Sequence, residues 1–140
     1  MDAGLGVFKS SEKSKVETKL LDIGYREYLI EGFYLQVKGG GWMDSSGNPN
    51  RSSSVFLATG LQFEVNLSPV EIRTGFNLAG ISNTDDYLGG HLQFNEELYI
   101  GLRDKIGNGI GLEYSHFSSG GLEMPNQGRD FIILQMSQRW

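Results

Sequence analysis

Cysteine is absent from the 140-residue chain, which excludes disulfide bonds, thiolate catalysis and cysteine-zinc sites. No apolar run approaches the roughly 18 residues of a membrane-spanning helix. Basic residues are few, because 12 Lys and Arg stand against 17 Asp and Glu and give a formal net charge of -5. Without a basic stripe to neutralise phosphates, nucleic acid is not an expected partner. No cluster of metal-ligand residues is visible, so neither a metal nor another cofactor is expected.

Proline is scarce and glycine is abundant, because the chain has three prolines and twenty glycines. This composition is typical of strands joined by turns. Hydrophobic periodicity is close to two along almost the whole chain, and no helix is predicted. The predicted strands are Ala3–Lys9, Val16–Arg26, Ile30–Trp42, Ser53–Val65, Val70–Ile81, His91–Arg103, Gly109–Ser118 and Asp130–Trp140. This order predicts a single all-β domain over residues 1–140, an eight-stranded antiparallel up-and-down β-barrel, with a two-sheet sandwich as the alternative.

The two faces of the predicted strands differ in polarity. In the fifth strand, Glu71, Arg73 and Asn77 share one face, and apolar side chains dominate the other. A charged lumen inside an apolar outer wall is the arrangement of outer-membrane barrels, so the pattern favours it over an apolar interior. On the last two strands the outward band is predicted to be Ile110, Leu112, Tyr114, Ile132, Leu134 and Met136. Such a band must be covered by lipid, detergent or a partner.

A histidine and a serine end the apolar face of the seventh strand, in the segment LEYSHFSSGG. His116 and Ser118 lie two residues apart and therefore share one face. Histidine is the usual general base for a serine nucleophile. Asp130 opens the next predicted strand, and antiparallel pairing would return it beside His116 to form a Ser-His-Asp arrangement. The alternative is that the histidine and the serine have this spacing by chance and take part in no reaction.

The segment GIGLEYSHFSSGGLEMPNQGRD resembles the C-terminal signature of the PagL-type lipid A 3-O-deacylases, and LQFNEELYIGL resembles the strand before it. The spacing fits at Phe94, His116, Ser118, Pro125, Asn126, Gly128 and Asp130. The resemblance implies an eight-stranded outer-membrane barrel whose lipid-facing site hydrolyses the ester-linked acyl chain at position 3 of lipid A. It implies Ser118 as nucleophile, His116 as general base and Asp130 as orienting acid.

The residues implied to hold the oxyanion or position the substrate are Ser119, Asn126 and Phe94. Two residues depart from the family pattern. Asp130 stands where the family usually has glutamate, so its contact with His116 is expected to be long or water-bridged unless the strand shifts. Ser119 stands where the family has asparagine. Activity is therefore expected to be weak. Asp130→Glu is expected to raise it if the reach of the carboxylate is the defect, and Ser119→Asn if the oxyanion site is the defect.

The expected partner is lipopolysaccharide, and the expected location is the outer membrane. The alternative is a non-catalytic structural or lipopolysaccharide-binding barrel, such as a phage virion or tail component covered by other virion proteins. The N-terminal segment MDAGLGVFKSSEKSK is not a secretory signal peptide as given, so either one was removed and Met1 supplied or none was used. A virion protein would need none. The charge-rich segment LLDIGYREYLIEG would also suit packing against proteins in water.

Overall fold

The computed structural model describes residues 2–9, 16–45, 47 and 49–138. Within these ranges the chain forms eight strands: β1 (Asp2–Lys9), β2 (Val16–Ile30), β3 (Phe33–Asp44), β4 (Ser54–Leu67), β5 (Val70–Ile81), β6 (Leu92–Arg103), β7 (Asn108–Ser118) and β8 (Arg129–Gln138). Consecutive strands pair antiparallel, and β1 also pairs with β8, so the strand order closes on itself. The predicted all-β, antiparallel up-and-down architecture is confirmed, and the sandwich alternative is wrong. No helix in the described residues is long and apolar enough to cross a membrane.

One strand boundary differs clearly from the prediction. The second strand was expected to end at Arg26, but β2 continues to Ile30 and β3 begins only at Phe33. Gly32 makes this tight connection with a φ of 76°, which a residue with a Cβ rarely adopts. A Cβ there would also collide with the ring of Phe63, at 2.8 Å.

The barrel interior is charged and hydrogen-bonded, as the polar face of the fifth strand predicted. Lys38 lies at its centre, buried, with its Nζ 2.6 Å from Glu97 Oε1, 2.7 Å from Glu113 Oε1 and 3.2 Å from Asp22 Oδ2. These four side chains are called the Lys38 cluster below. Gln36 donates to the second oxygen of Glu97 at 2.9 Å, and Gln135 donates to that of Glu113 at 2.7 Å. Burial of these charges is tolerated because the Lys38 ammonium group pairs with all three carboxylates, and because Glu97 and Glu113 also accept hydrogen bonds.

A second polar group in the lumen is built on Glu71. Its carboxylate bridges the guanidinium groups of Arg73 and Arg103, and the Arg73 guanidinium lies 3.6 Å from the centroid of the Tyr99 ring. The lumen is therefore filled by side chains rather than left as a channel.

An apolar plug closes the lumen at one end. Trp42 and Phe56 stack with ring centroids 5.9 Å apart, and Phe117 and Phe131 pack edge-to-face at 6.1 Å. All four rings are buried. They come from the strand ends that adjoin the β3–β4 and β7–β8 connections, at the same end of the barrel as the β5–β6 connection. These connections are long, with ten residues each in 82–91 and 119–128, whereas the opposite end has turns of two residues at 31–32 and 68–69 and four at 104–107.

The outer wall, the face formed by the outward-pointing side chains, is apolar. The predicted outward band lies on it, because its six side chains are between 42% and 64% exposed. Similar exposed aliphatic and aromatic side chains continue around β2 to β6. An apolar surface of this extent requires a non-aqueous cover.

We expect the folded protein to stay monodisperse only in detergent or lipid, because water cannot solvate this outer wall. Size-exclusion chromatography with light scattering, before and after detergent removal, measures this. A stable detergent-free monomer would contradict the assignment of the wall to lipid.

Candidate active site

His116 and Asp130 form a direct pair on the outer wall. The strand register places them opposite each other on β7 and β8. Directly paired residues have Cβ atoms roughly 5 Å apart, close enough for an aspartate to reach. His116 Nδ1 lies 2.6 Å from Asp130 Oδ1, and the two side chains are 28% and 55% exposed. Since a carboxylate only accepts, Nδ1 carries the proton. The expectation of a long or water-bridged contact is wrong.

Tyr114 joins this pair, which sequence reasoning missed. Its hydroxyl donates to Asp130 Oδ1 at 2.6 Å, the same oxygen that His116 contacts. The available signal was the spacing, because Tyr114 precedes His116 by two residues and shares its face. The carboxylate thus receives two donors from β7.

Ser118 lies on the same outer face and is partly exposed. Its register partner on β6 is Phe94. Among the described residues its hydroxyl makes no hydrogen bond, so the expected approach to His116 is not a hydrogen bond in this state. Catalytic hydrogen bonds often tighten only when substrate is bound.

The β7–β8 connection folds back on itself through Ser119. Its backbone N–H donates to Asn126 Oδ1 at 2.8 Å, and its hydroxyl donates to the Glu123 carbonyl oxygen at 2.8 Å. Ser119 is fully buried by these contacts. Its side chain is therefore engaged within the loop, which goes against its expected role toward an oxyanion. Asn126 is held through its carbonyl oxygen, which leaves its Nδ2 to donate elsewhere.

Gly128 supports the imidazole from the other side. A Cβ at this position would lie 2.6 Å from His116 Cε1 and 3.2 Å from Nε2, and the backbone φ of 76° also favours glycine. The N–H groups of Gln127 and Gly128 both donate to the Tyr87 carbonyl oxygen at 3.1 Å. The β5–β6 connection therefore fixes the segment that packs on His116.

The β5–β6 connection is itself anchored by Asp85. Its Oδ1 accepts the N–H groups of Tyr87 at 2.9 Å and Leu88 at 3.1 Å, and its other oxygen pairs with the buried guanidinium of Arg129. Arg129 directly precedes Asp130, so this ion pair holds the start of β8 at the site.

Phe94 gives the site an apolar flank. Its ring stacks on Phe76 with centroids 5.5 Å apart, and both rings belong to the outer wall. A Cβ at Gly120 would lie 2.8 Å from the Phe94 ring, so the ring also borders the loop after Ser118. An acyl chain beside Ser118 would find hydrocarbon on this side.

A furrow of about 770 Å³ lies elsewhere on the barrel, where Gly39, Gly40 and Gly41 lack side chains. It is lined by residues of β2, β3 and β4 and the adjoining loops. The site residues lie on β6, β7 and β8 and in the β7–β8 connection, and none of them lines the furrow. The furrow is therefore not part of the site.

The sequence matches known lipid A deacylases. The family model described as lipid A 3-O-deacylase (PagL) matches residues 3–139. Lipid A deacylase PagL of Bordetella bronchiseptica (strain ATCC BAA-588 / NCTC 13252 / RB50) is 36% identical over 66 residues, which cover 45% of this chain and 37% of that relative. The chain thus spans well under half of the curated relative that it matches.

Solved structures share the barrel fold. The crystal structure of the outer membrane enzyme PagL matches with a TM-score of 0.67 and 21% identity over 97% of both chains. Neisserial surface protein A matches with a TM-score of 0.59 and 14% identity, over 99% of this chain and 94% of its own. The outer membrane protein Ail of Yersinia pestis matches with a TM-score of 0.58 and 8% identity, over 99% of this chain and 97% of its own. Because the family model spans nearly the whole sequence, the chain belongs to the lipid A 3-O-deacylase (PagL) family.

Proposed function

We propose that this protein is an outer-membrane hydrolase that cleaves the ester-linked acyl chain at position 3 of lipid A. The observation that carries the proposal is the direct His116–Asp130 pair, with Ser118 on the same outward face, in a chain of the PagL family. Residues 1–140 act as one eight-stranded barrel domain in which β1 closes the gap between β2 and β8.

In the proposed reaction, Asp130 holds His116 with Nδ1 protonated, which leaves Nε2 free to accept the Ser118 proton. Ser118 Oγ then attacks the ester carbonyl carbon, and His116 returns the proton to the departing sugar oxygen. Water, deprotonated by His116, attacks the carbonyl carbon of the acyl-enzyme, the bond from that carbon to Ser118 Oγ breaks, and His116 returns the proton to Ser118 as the fatty acid leaves. The Nδ2 group of Asn126 is the side-chain donor proposed for the oxyanion.

The position of the site suits a lipid substrate. It lies at the strand ends that adjoin the long connections, which in outer-membrane barrels face the exterior. Its surroundings on the outer wall are apolar, so a membrane lipid would reach Ser118 without leaving the hydrocarbon layer. This is also the physical reason for a triad that faces outward.

None of the relatives described above is a virion or tail protein. The site residues form a built arrangement rather than isolated side chains. We therefore do not propose the non-catalytic virion role.

Mass spectrometry of lipid A incubated with the purified, detergent-solubilised protein tests the function. We expect lipid A to lose the mass of one hydroxyacyl chain, with one equivalent of free hydroxy fatty acid released. Unchanged lipid A, with protein whose gel mobility before and after heating shows a folded barrel, would overturn the proposal.

Gly128→Ala is expected to lower kcat by roughly 10–100-fold, since the new methyl group displaces the His116 ring and small misplacements at a reacting centre are costly. Gly121→Ala is the matched control. Gly121 lies in the same loop with a φ of 83°, and a Cβ there meets nothing within 4 Å. Steady-state kinetics and melting temperatures of both variants separate backbone strain, which both share, from the collision with His116. Equal activity losses in the two variants would contradict this role of Gly128.

A further inference from the structure

We propose that Tyr114 is a positioning residue that holds Asp130 against His116, an inference that rests on the proposed function. The phenol and the imidazole come from the same strand face and converge on one oxygen, Asp130 Oδ1, each at 2.6 Å. The other oxygen of Asp130 makes no hydrogen bond within the described part of the chain. Two donors on one oxygen fix the direction of the carboxylate more tightly than one.

Asp130 needs this support because it is exposed. At 55% exposure its carboxylate is not confined by packing, and no backbone N–H of the described residues donates to it. Tyr114 approaches it diagonally across the two strands, a distance that a tyrosine side chain spans. A tyrosine has only two side-chain torsions, so it offers its hydroxyl at a low entropic cost.

The position of the imidazole follows from that of the carboxylate. Asp130 holds His116 at Nδ1, and Gly128 lies against the edge that carries Cε1 and Nε2. If the carboxylate were free to rotate, the imidazole ring would rotate with it, and Nε2 would no longer be directed toward Ser118. Groups that orient a metal-binding histidine through a second hydrogen bond contribute about 10–100-fold to affinity or activity, and we expect an effect of the same order here.

The barrel contains a matched control. Tyr25 also donates its hydroxyl to an outward carboxylate two residues away, Glu27, but on β2 rather than beside His116. Tyr25→Phe therefore removes the same chemical contact from the outer wall without touching the site.

The test compares Tyr114→Phe and Tyr25→Phe in the detergent-solubilised full chain, with lipid A as substrate. We expect Tyr114→Phe to lower kcat by about 10–100-fold with KM within about twofold, and Tyr25→Phe to leave both unchanged. In an Asp130→Asn background, Tyr114→Phe should cause no further loss, because it acts through that carboxylate. A loss of the same size in both backgrounds, or full kcat in Tyr114→Phe, would overturn the inference.

A second readout does not depend on activity. In ¹⁵N NMR of the imidazole, we expect a slowly exchanging His116 Nδ1–H in the wild type and in Tyr25→Phe, and a rapidly exchanging one in Tyr114→Phe. An unchanged resonance in Tyr114→Phe would overturn the inference. An inactive wild type would overturn the proposed function instead, and the NMR comparison would still decide the role of Tyr114.

Discussion

Ser118→Ala is expected to abolish the release of an acyl chain from lipid A, with kcat falling by up to about 10⁶-fold, the scale seen when a serine nucleophile is removed. The physical reason is that no other hydroxyl in the described residues follows His116 on the outer face of β7. Acyl-chain release is followed by mass spectrometry of lipid A over time.

Ser53→Ala serves as the control for this loss. Ser53 is also exposed, but it lies just before β4 and its hydroxyl only accepts the Asp44 N–H at 3.1 Å. It should retain full activity. Full activity in Ser118→Ala would mean that the hydrolysis, if present, uses a different nucleophile.

Lys38→Met is expected to destabilise the barrel by about 3–5 kcal/mol, because it leaves buried carboxylates without their cation. Lys38 contacts three carboxylates, and each is almost fully buried. The free energy of unfolding is measured by urea titration in detergent micelles. The fluorescence of Trp42, which is buried in the apolar plug, reports unfolding.

Two further variants make this test specific. Lys105→Met removes an exposed lysine from the β6–β7 turn and should change stability little. Adding Glu97→Gln and Glu113→Gln to Lys38→Met should recover part of the loss, since these changes remove two of the three unpaired carboxylate charges. If Lys38→Met is as stable as Lys105→Met, the Lys38 cluster does not hold the lumen together.

Much of the fold was predictable because β-strands alternate. Successive side chains of a strand point to opposite faces, so the sequence alone predicted that Glu71, Arg73 and Asn77 share one face. The same periodicity placed His116 and Ser118 on one face. Antiparallel pairing of the last two strands predicted that Asp130 would return beside His116, and the observed register places the two residues directly opposite each other.

The loops were not predictable in this way. Ser119 turns inward, and the Tyr87 carbonyl oxygen holds the segment before Arg129, through contacts that have no sequence period. The prediction of a long His116–Asp130 contact was wrong, because the two residues lie directly opposite each other across the strands, where the shorter aspartate side chain still reaches the imidazole. The hydrogen bond from Tyr114 to Asp130 could be found only from atomic positions, since many tyrosines lie two residues from a histidine without sharing a hydrogen-bond partner with it.

Covalent labelling detects whether the outer wall carries an activated serine. The detergent-solubilised protein is treated with a fluorophosphonate, which modifies serines whose proton a neighbouring base accepts, and the adduct is mapped by peptide mass spectrometry. We predict one adduct, on the peptide that contains Ser118, and none in His116→Gln. An unmodified Ser118 in a protein that nevertheless deacylates lipid A would contradict the account.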